Sequence, residues 1–257
     1  MILAIDVGNS NIVLGCIRDS EILFEARMAT DRIKTSDQYC AELKSILSLY
    51  DVAPGDIAGS IISSVVPMVQ QVLVLAVERL TGKSCLTVGP GLKTGLNIKI
   101  DNPAQAGSDL IVGAVAAIDG YGAPLCVIDL GTATTICIVD RDGAFRGGSI
   151  APGVMLSLNA LSSGTAQLPA ISLERPRRAI GTNTVDSMRS GLLLGSAAML
   201  DGMVERMEAE LGYPTKVVAT GGLAKFIAPL CRREMTVDES LLLKGLELLY
   251  RKNTQKA

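Results

Sequence analysis

Two aspartates stand at the ends of short apolar runs, each followed two residues later by a glycine. Asp6 lies in LAIDVGNSNIVLGCI (Leu3 to Ile17) and Asp129 in CVIDLGTATTICIV (Cys126 to Val139). A carboxylate at the end of a buried strand is costly unless it is paired, hydrogen-bonded or holding a cation. The residues after Gly8 (Asn9, Ser10 and Asn11) offer N–H groups and small polar side chains that can wrap an anion. Acid and glycine turn together suggest a site for a metal and a phosphate. The plainer alternative is a tight hairpin whose Asp and Asn only satisfy the turn. Aligning Asp129 with Asp6 brings Gly131 onto Gly8, with small hydroxyl residues after each glycine and a β-rich strand after each turn, so the two stretches read as internal analogues.

Two other stretches could complete such a site. In ATGGLA (Ala219 to Ala224), a double glycine after a strand, Gly221 and Gly222, lets a flat ligand such as adenine approach the backbone; an ordinary strand-to-helix turn is the alternative. Asp109, at a predicted helix start after Gly107 and Ser108, is the best candidate for a base, set against the common role of a carboxylate facing a helix dipole. The chain has no histidine, which excludes His triads, His-ligated zinc and His bases. A hydroxyl nucleophile facing a γ-phosphate would then rely on a carboxylate as proton acceptor. Paired phosphate-gripping turns suit phosphoryl transfer, which demands mainly alignment and neutralisation of charge. Competing nucleotide motifs fail. Gly82-Lys83-Ser84 lacks the earlier P-loop glycine, because Val77 stands there, and Gly89, Gly91 and Gly95 have the wrong spacing for a dinucleotide fingerprint.

The elements that must position these residues follow from periodicity. Glu21 to Ala29 reads as a third strand after the Leu3–Ile17 hairpin. Ser36 is expected to cap a helix to about Tyr50, with Tyr39, Leu43, Ile46, Leu47 and Tyr50 on one face. A strand within Ile57 to Val66, a helix to Leu80 and a strand at Cys85 to Val88 complete an α/β half. Residues 89–107 read as a connecting segment, and a helix from Ser108 to Gly120 bridges the halves. The strand–turn–strand–strand pattern then recurs, ending in Ala144 to Ile150. Next come a helix to about Leu161, a loop over Ser162 to Pro169, a long helix over Thr184 to Leu211, a strand over Lys216 to Ala219, two helices and a polar tail, NTQKA. The expected domains are residues 1–120 and 121–257, each a mixed sheet covered by helices, with the two aspartate turns facing one another across a cleft.

Composition narrows the partners. A net charge of −2 gives no electrostatic case for nucleic acid or an anionic membrane, which leaves a small molecule or a protein. Six cysteines without a CxxC pair read as reduced thiols. No leader-like segment and no membrane-spanning run are recognised, so a cytoplasmic location is expected.

In order along the chain, the motifs DVGNS (6–10), ISSVVP (62–67), TGLNI (94–98), DNP (101–103), DLGTATT (129–135), GGSIAPG (147–153), GTNTVDSM (181–188) and ATGGLA (219–224) resemble those of type III pantothenate kinases. These belong to the acetate kinase, sugar kinase, Hsp70 and actin superfamily of duplicated ribonuclease-H-like domains. The resemblance implies ATP-dependent phosphorylation of pantothenate, the first step toward coenzyme A, in a cytoplasmic homodimer using magnesium and a monovalent cation. By matching position it implies ATP contacts from Asp6, Val7, Gly8, Asn9, Ser10, Asn11, Ile12, Val13 and Thr132, and a potassium or ammonium ion at Asp129. Asp109 would be the proton acceptor and Asp6 would organise hydrated magnesium. Gly107, Ser108, Asp109, Leu110 and Thr184 would border pantothenate. Two positions depart from the family pattern. The usual Gly-Ala-Asp-Arg is Gly107-Ser108-Asp109-Leu110, which removes a cation and its bidentate hydrogen bonding, and Ile100 replaces a tyrosine before DNP. Both lie on the substrate side, which keeps open a kinase for another small alcohol or a weakly catalytic nucleotide-binding paralogue.

Overall fold

The structure is a computed structural model that describes residues 1–254. It divides into two compact units, the first comprising residues 1–96, 101–116 and those from Ser240, the second residues 97–100 and 117–239.

The first unit is built on a five-stranded sheet. β1 (Ile2–Val7) pairs antiparallel with β2 (Asn11–Arg18), which pairs antiparallel with β3 (Glu21–Ala29). After helix α1 (Ser36–Leu49), β4 (Gly59–Ser64) joins the other edge of β1 in parallel. Helix α2 (Pro67–Thr81) then leads to β5 (Cys85–Thr87), giving the order β3-β2-β1-β4-β5. Alternation along β1 divides its side chains between two cores. Leu3, Ile5 and Val7 pack with Tyr39, Leu43 and Leu47 of α1 and Leu73 and Val77 of α2. On the other face Ala4 and Ile61 pack with Val112 of α3 (Ser108–Tyr121) and with Leu243, Leu246 and Leu249 of the helix Leu241–Thr254.

The second unit repeats the plan. β6 (Asn97–Ile98) is an edge strand contributed from the connecting segment, and β7 (Leu125–Leu130), β8 (Ala133–Val139) and β9 (Ala144–Pro152) form the antiparallel meander. Helices α4 (Val154–Gly164), α5 (Thr184–Arg189) and α6 (Gly195–Leu211) follow, the last two joined by a π-helical turn over Ser190–Leu194 into the continuous helix expected from Thr184. β10 (Lys216–Thr220), the short α7 (Ala224–Ile227) and β11 (Thr236–Val237) precede the helix Leu241–Thr254, α8. The sheet order is β11-β10-β7-β8-β9-β6, so β9-β8-β7-β10-β11 matches the order of the first sheet strand for strand. Two mixed sheets flanked by helices, as expected, make up the α/β fold.

Several local expectations are corrected. Thr35, not Ser36, caps α1, closing a capping box with Gln38. Tyr50 lies beyond that helix, 44% exposed, stacked on Phe24 at 4.1 Å. α4 runs past Leu161 because Ser162, Ser163 and Thr165 bond back to the carbonyls of Leu158, Asn159 and Leu161. β6 and β11 are too short to show a period. α8 lies in the second half of the sequence, but its leucines belong to the core of the first unit. Of the polar tail, Asn253 and Thr254 are helical and the last three residues lie outside the described residues. Gly82 ends α2 in the left-handed conformation (φ 68°) and Lys83 donates to the Ile57 carbonyl, so the GKS sequence is a helix terminus. Among the described residues all six cysteines are free and no helix is long and apolar enough to cross a membrane.

Candidate active site

In the first unit the Asp6 turn is built by strand register. Val7 pairs with Ile12, so Gly8 to Asn11 form the loop, with Gly8 N donating to Asn11 O at 2.9 Å. Thr30, just past β3, clamps it: its N–H donates to Ser10 O at 3.0 Å and its hydroxyl to Gly8 O at 2.7 Å. With these carbonyls engaged inside the unit, the acceptors that would repel a phosphate are taken up, and Asn9, Ser10 and Asn11 stand exposed. Arg32 adds a cation, donating to Asn9 Oδ1 at 3.2 Å. Val7 and Ile12 are core residues and Val13 is partly buried, so they shape the loop through the backbone.

The same sheet brings Asp6 and Asp109 into one unit. Asp6 is buried (8% exposed) and sits opposite Ser63 in the β1–β4 register. The Ser63 hydroxyl donates to Ser108 Oγ at 3.1 Å at the start of α3, one residue before Asp109. Asp109 is partly buried; burial raises its pKa above the ordinary carboxylate value, against hydrogen bonds from the N–H groups of Leu110 and of Asp109 itself. The Leu110 N–H meets its Oδ1 at 2.9 Å. A methyl on Gly107 would lie 2.5 Å from that same oxygen, so only glycine leaves the carboxylate its place.

The second unit repeats the device with one residue fewer. Leu130 pairs with Thr134, leaving Gly131 to Ala133 as the loop. Here Gly131 N donates to Ala133 O, Gly153 N to Thr132 O and Leu223 N to Leu130 O, at 3.1, 3.1 and 3.3 Å, again engaging the carbonyls and leaving Thr132 exposed. Thr220 of β10 pairs with Asp129, which carries Gly221 and Gly222 to that aspartate. A side chain at Gly221 would collide with Asp129 Oδ1. Thr135, paired opposite Asp129, has a buried hydroxyl oxygen with no hydrogen-bond partner among the described residues. A carboxylate and an orphaned oxygen on one face, with room kept by a glycine, suit a cation with oxygen ligands. Among the described residues no group of three or more His, Cys, Asp or Glu could hold a metal.

The positions expected to contact the acceptor are divided between the units. Gly107 to Leu110 lie in the first. Ile100 lies in the second beside β9, its methyl 3.4 Å from where a Gly147 side chain would begin, and Thr184 opens α5, exposed, just after the cap Asn183. Sequence reading missed Thr30, Ser63, Thr135 and Gly153 as supports. Ser63, Thr135 and Gly153 lay within recognised motifs, but only the strand register shows what they touch.

The sequence profile of type III pantothenate kinases matches residues 2–206. The chain belongs to that family. It is 46% identical over 253 residues to a type III pantothenate kinase of Halalkalibacterium halodurans, covering 98% of this chain and 100% of that one. Among solved structures it resembles component A of the (R)-2-hydroxyglutaryl-CoA dehydratase of Acidaminococcus fermentans (TM-score 0.60, 16% identity, 99% of both chains). It also resembles an inorganic polyphosphate/ATP-glucomannokinase of Arthrobacter sp. strain KM (TM-score 0.53, 15% identity, 98% of both chains). These likenesses give the family member its fold, that of actin-like ATPases and sugar kinases. Family membership makes the protein a phosphotransferase that uses ATP.

Proposed function

We propose that this chain phosphorylates pantothenate with ATP, giving 4′-phosphopantothenate in the first step toward coenzyme A. The observation that carries the reading is the pairing, within one unit, of a phosphate-wrapping turn at Asp6 with a half-buried carboxylate at Asp109, in a chain matched along its length by pantothenate kinases. Asp109 accepts the proton of the attacking hydroxyl; burial raises its pKa and makes it a stronger base than an ordinary carboxylate. The turns at Gly8–Asn11 and at Gly131–Ala133, with Thr132, hold the nucleotide phosphates, and the backbone at Gly221 and the exposed Gly222 receives the base. Asp6 would hold the magnesium that accompanies ATP, which would supply neutralisation of charge on the transferring phosphoryl group. Asp129, with the Thr135 hydroxyl opposite it, would hold a potassium or ammonium ion. Gly107, Ser108, Leu110, Ile100 and Thr184 border the acceptor, the protein works as a homodimer, and its place is the cytoplasm.

The test is ATP consumption with product identification, offering pantothenate beside a panel of small hydroxylated acids, in magnesium with and without potassium or ammonium. Phosphopantothenate dependent on the monovalent ion is the expected result. Phosphorylation of another acid alone would overturn the choice of substrate. Asp109→Asn is expected to reduce transfer by about 10²–10⁴-fold while ATP binding, measured by calorimetry, persists; near-normal turnover removes Asp109 as the base.

A further inference from the structure

Asp109 is held in an unusual way. Its carboxylate takes its hydrogen bonds from N–H groups of its own turn, those of Leu110 and of Asp109 itself. Among the described residues no side chain of another element hydrogen-bonds it, so where it points is inherited from where α3 begins. That beginning is fixed by one hydroxyl. Ser108 Oγ accepts from Ser63 Oγ at 3.1 Å and from Ser64 N at 3.2 Å, and donates to Ser64 O at 3.0 Å. A serine hydroxyl has one proton to give and two lone pairs to fill, so all of its capacity is spent on the end of β4. Ser63 is the register partner of Asp6. A continuous path of pairing and hydrogen bonds therefore runs from the strand carrying the phosphate-side aspartate to the helix carrying the base.

We propose that Ser108 is a positioning residue for the reaction, setting Asp109 by locking the first turn of α3 to β4 and so to the Asp6 strand. This rests on Asp109 being the base. The rest of α3 is anchored independently, since Ile111 and Val112 are buried and Gly245 of α8 packs against the Val112 backbone. Loss of the hydroxyl should therefore loosen the first turn without unfolding the helix.

Ser108→Ala, Ser108→Thr and Asp109→Asn are compared with the native protein by steady-state kinetics across pH, with thermal unfolding as a control. Ser108→Ala restores the alanine usual in the family pattern, but the turn of this chain is tied to β4 through the hydroxyl. The expected result is therefore a fall in kcat of up to about tenfold, with the KM for ATP unchanged. The acid limb of kcat/KM should move to lower pH, because a loosened carboxylate regains water. Ser108→Thr, which keeps the hydroxyl, should restore most of both. Native kcat and an unmoved acid limb in Ser108→Ala, with Asp109→Asn inactive, overturns the positioning role alone. Turnover in Asp109→Asn overturns the base and this inference with it. If Ser108→Ala does not fold, Ser63→Ala removes a single hydrogen bond to the same oxygen; a smaller fall in kcat with the same direction of pH shift is expected, and no change in either overturns the role.

Discussion

Asp109 carries two consequences that pull in opposite directions. A base acts only when deprotonated, and burial raises this carboxyl above the ordinary value of about 4. The acid limb of kcat/KM is therefore expected above the range of a free carboxylate, and a pH–rate profile of the native protein measures it. The same shift costs stability. Because the folded protein holds this proton more tightly than the unfolded chain, stability falls as pH rises from the unfolded to the folded pKa, and the full cost is present above the folded pKa. Asp109→Asn should therefore raise the melting temperature at pH 7 while removing transfer, with the gain disappearing below the unfolded carboxylate pKa. A lower melting temperature at neutral pH would show that the hydrogen bond from Leu110 outweighs burial.

At the scale of elements, the β8–β9 hairpin shows the opposite sign. Asp140 is almost wholly buried, which alone would raise its pKa. Hydrogen bonds from the N–H groups of Ala144 and Asp142 and from Arg146 (2.9, 3.0 and 3.2 Å) hold it below the usual carboxylate range. A lowered folded pKa stabilises above the unfolded value and loses that contribution as pH falls through the folded value. Asp140→Asn should cost on the order of 1–3 kcal/mol at neutral pH, in denaturant unfolding, with the difference from native shrinking in acid. Elements with a period were legible from sequence: the hairpin at Leu3–Ile17, β3 at its full bounds and the unbroken run from Thr184 to Leu211 all follow from alternation or helical spacing. β6 and β11, two residues each, carry no period, and their pairing is decided by neighbours far along the chain. The aspartates and glycine turns were legible for the same reason as the strands. Thr30, Ser63 and Thr135 were not, because a hydroxyl gains its role from what register sets opposite it.

Over the whole molecule, the duplication suggested by Asp6 and Asp129 is matched by two sheets of the same strand order, a repeat that sequence spacing could disclose. That α8 belongs to the first unit could not be read locally, since an amphipathic helix does not state which sheet it covers. Its Leu241, Leu243, Leu246 and Leu249 are almost fully buried. At about 1.5–3 kcal/mol for each such side chain, their burial is comparable to the whole stability of a domain. Truncation before Ser240 should therefore leave residues of the first unit open to limited proteolysis while the core at Ile128 and Leu200 stays protected. Equal protection of both would show that α8 is dispensable.

That placement also orders events on the ribosome. Every strand of the second sheet precedes α8 in the chain, the last of them, β11, by three residues, so synthesis leaves the face of Ala4, Ile61 and Val112 uncovered until the second unit is all but complete. During synthesis the amino-terminal sheet is the one that has to wait, and it is the nascent surface a chaperone would meet.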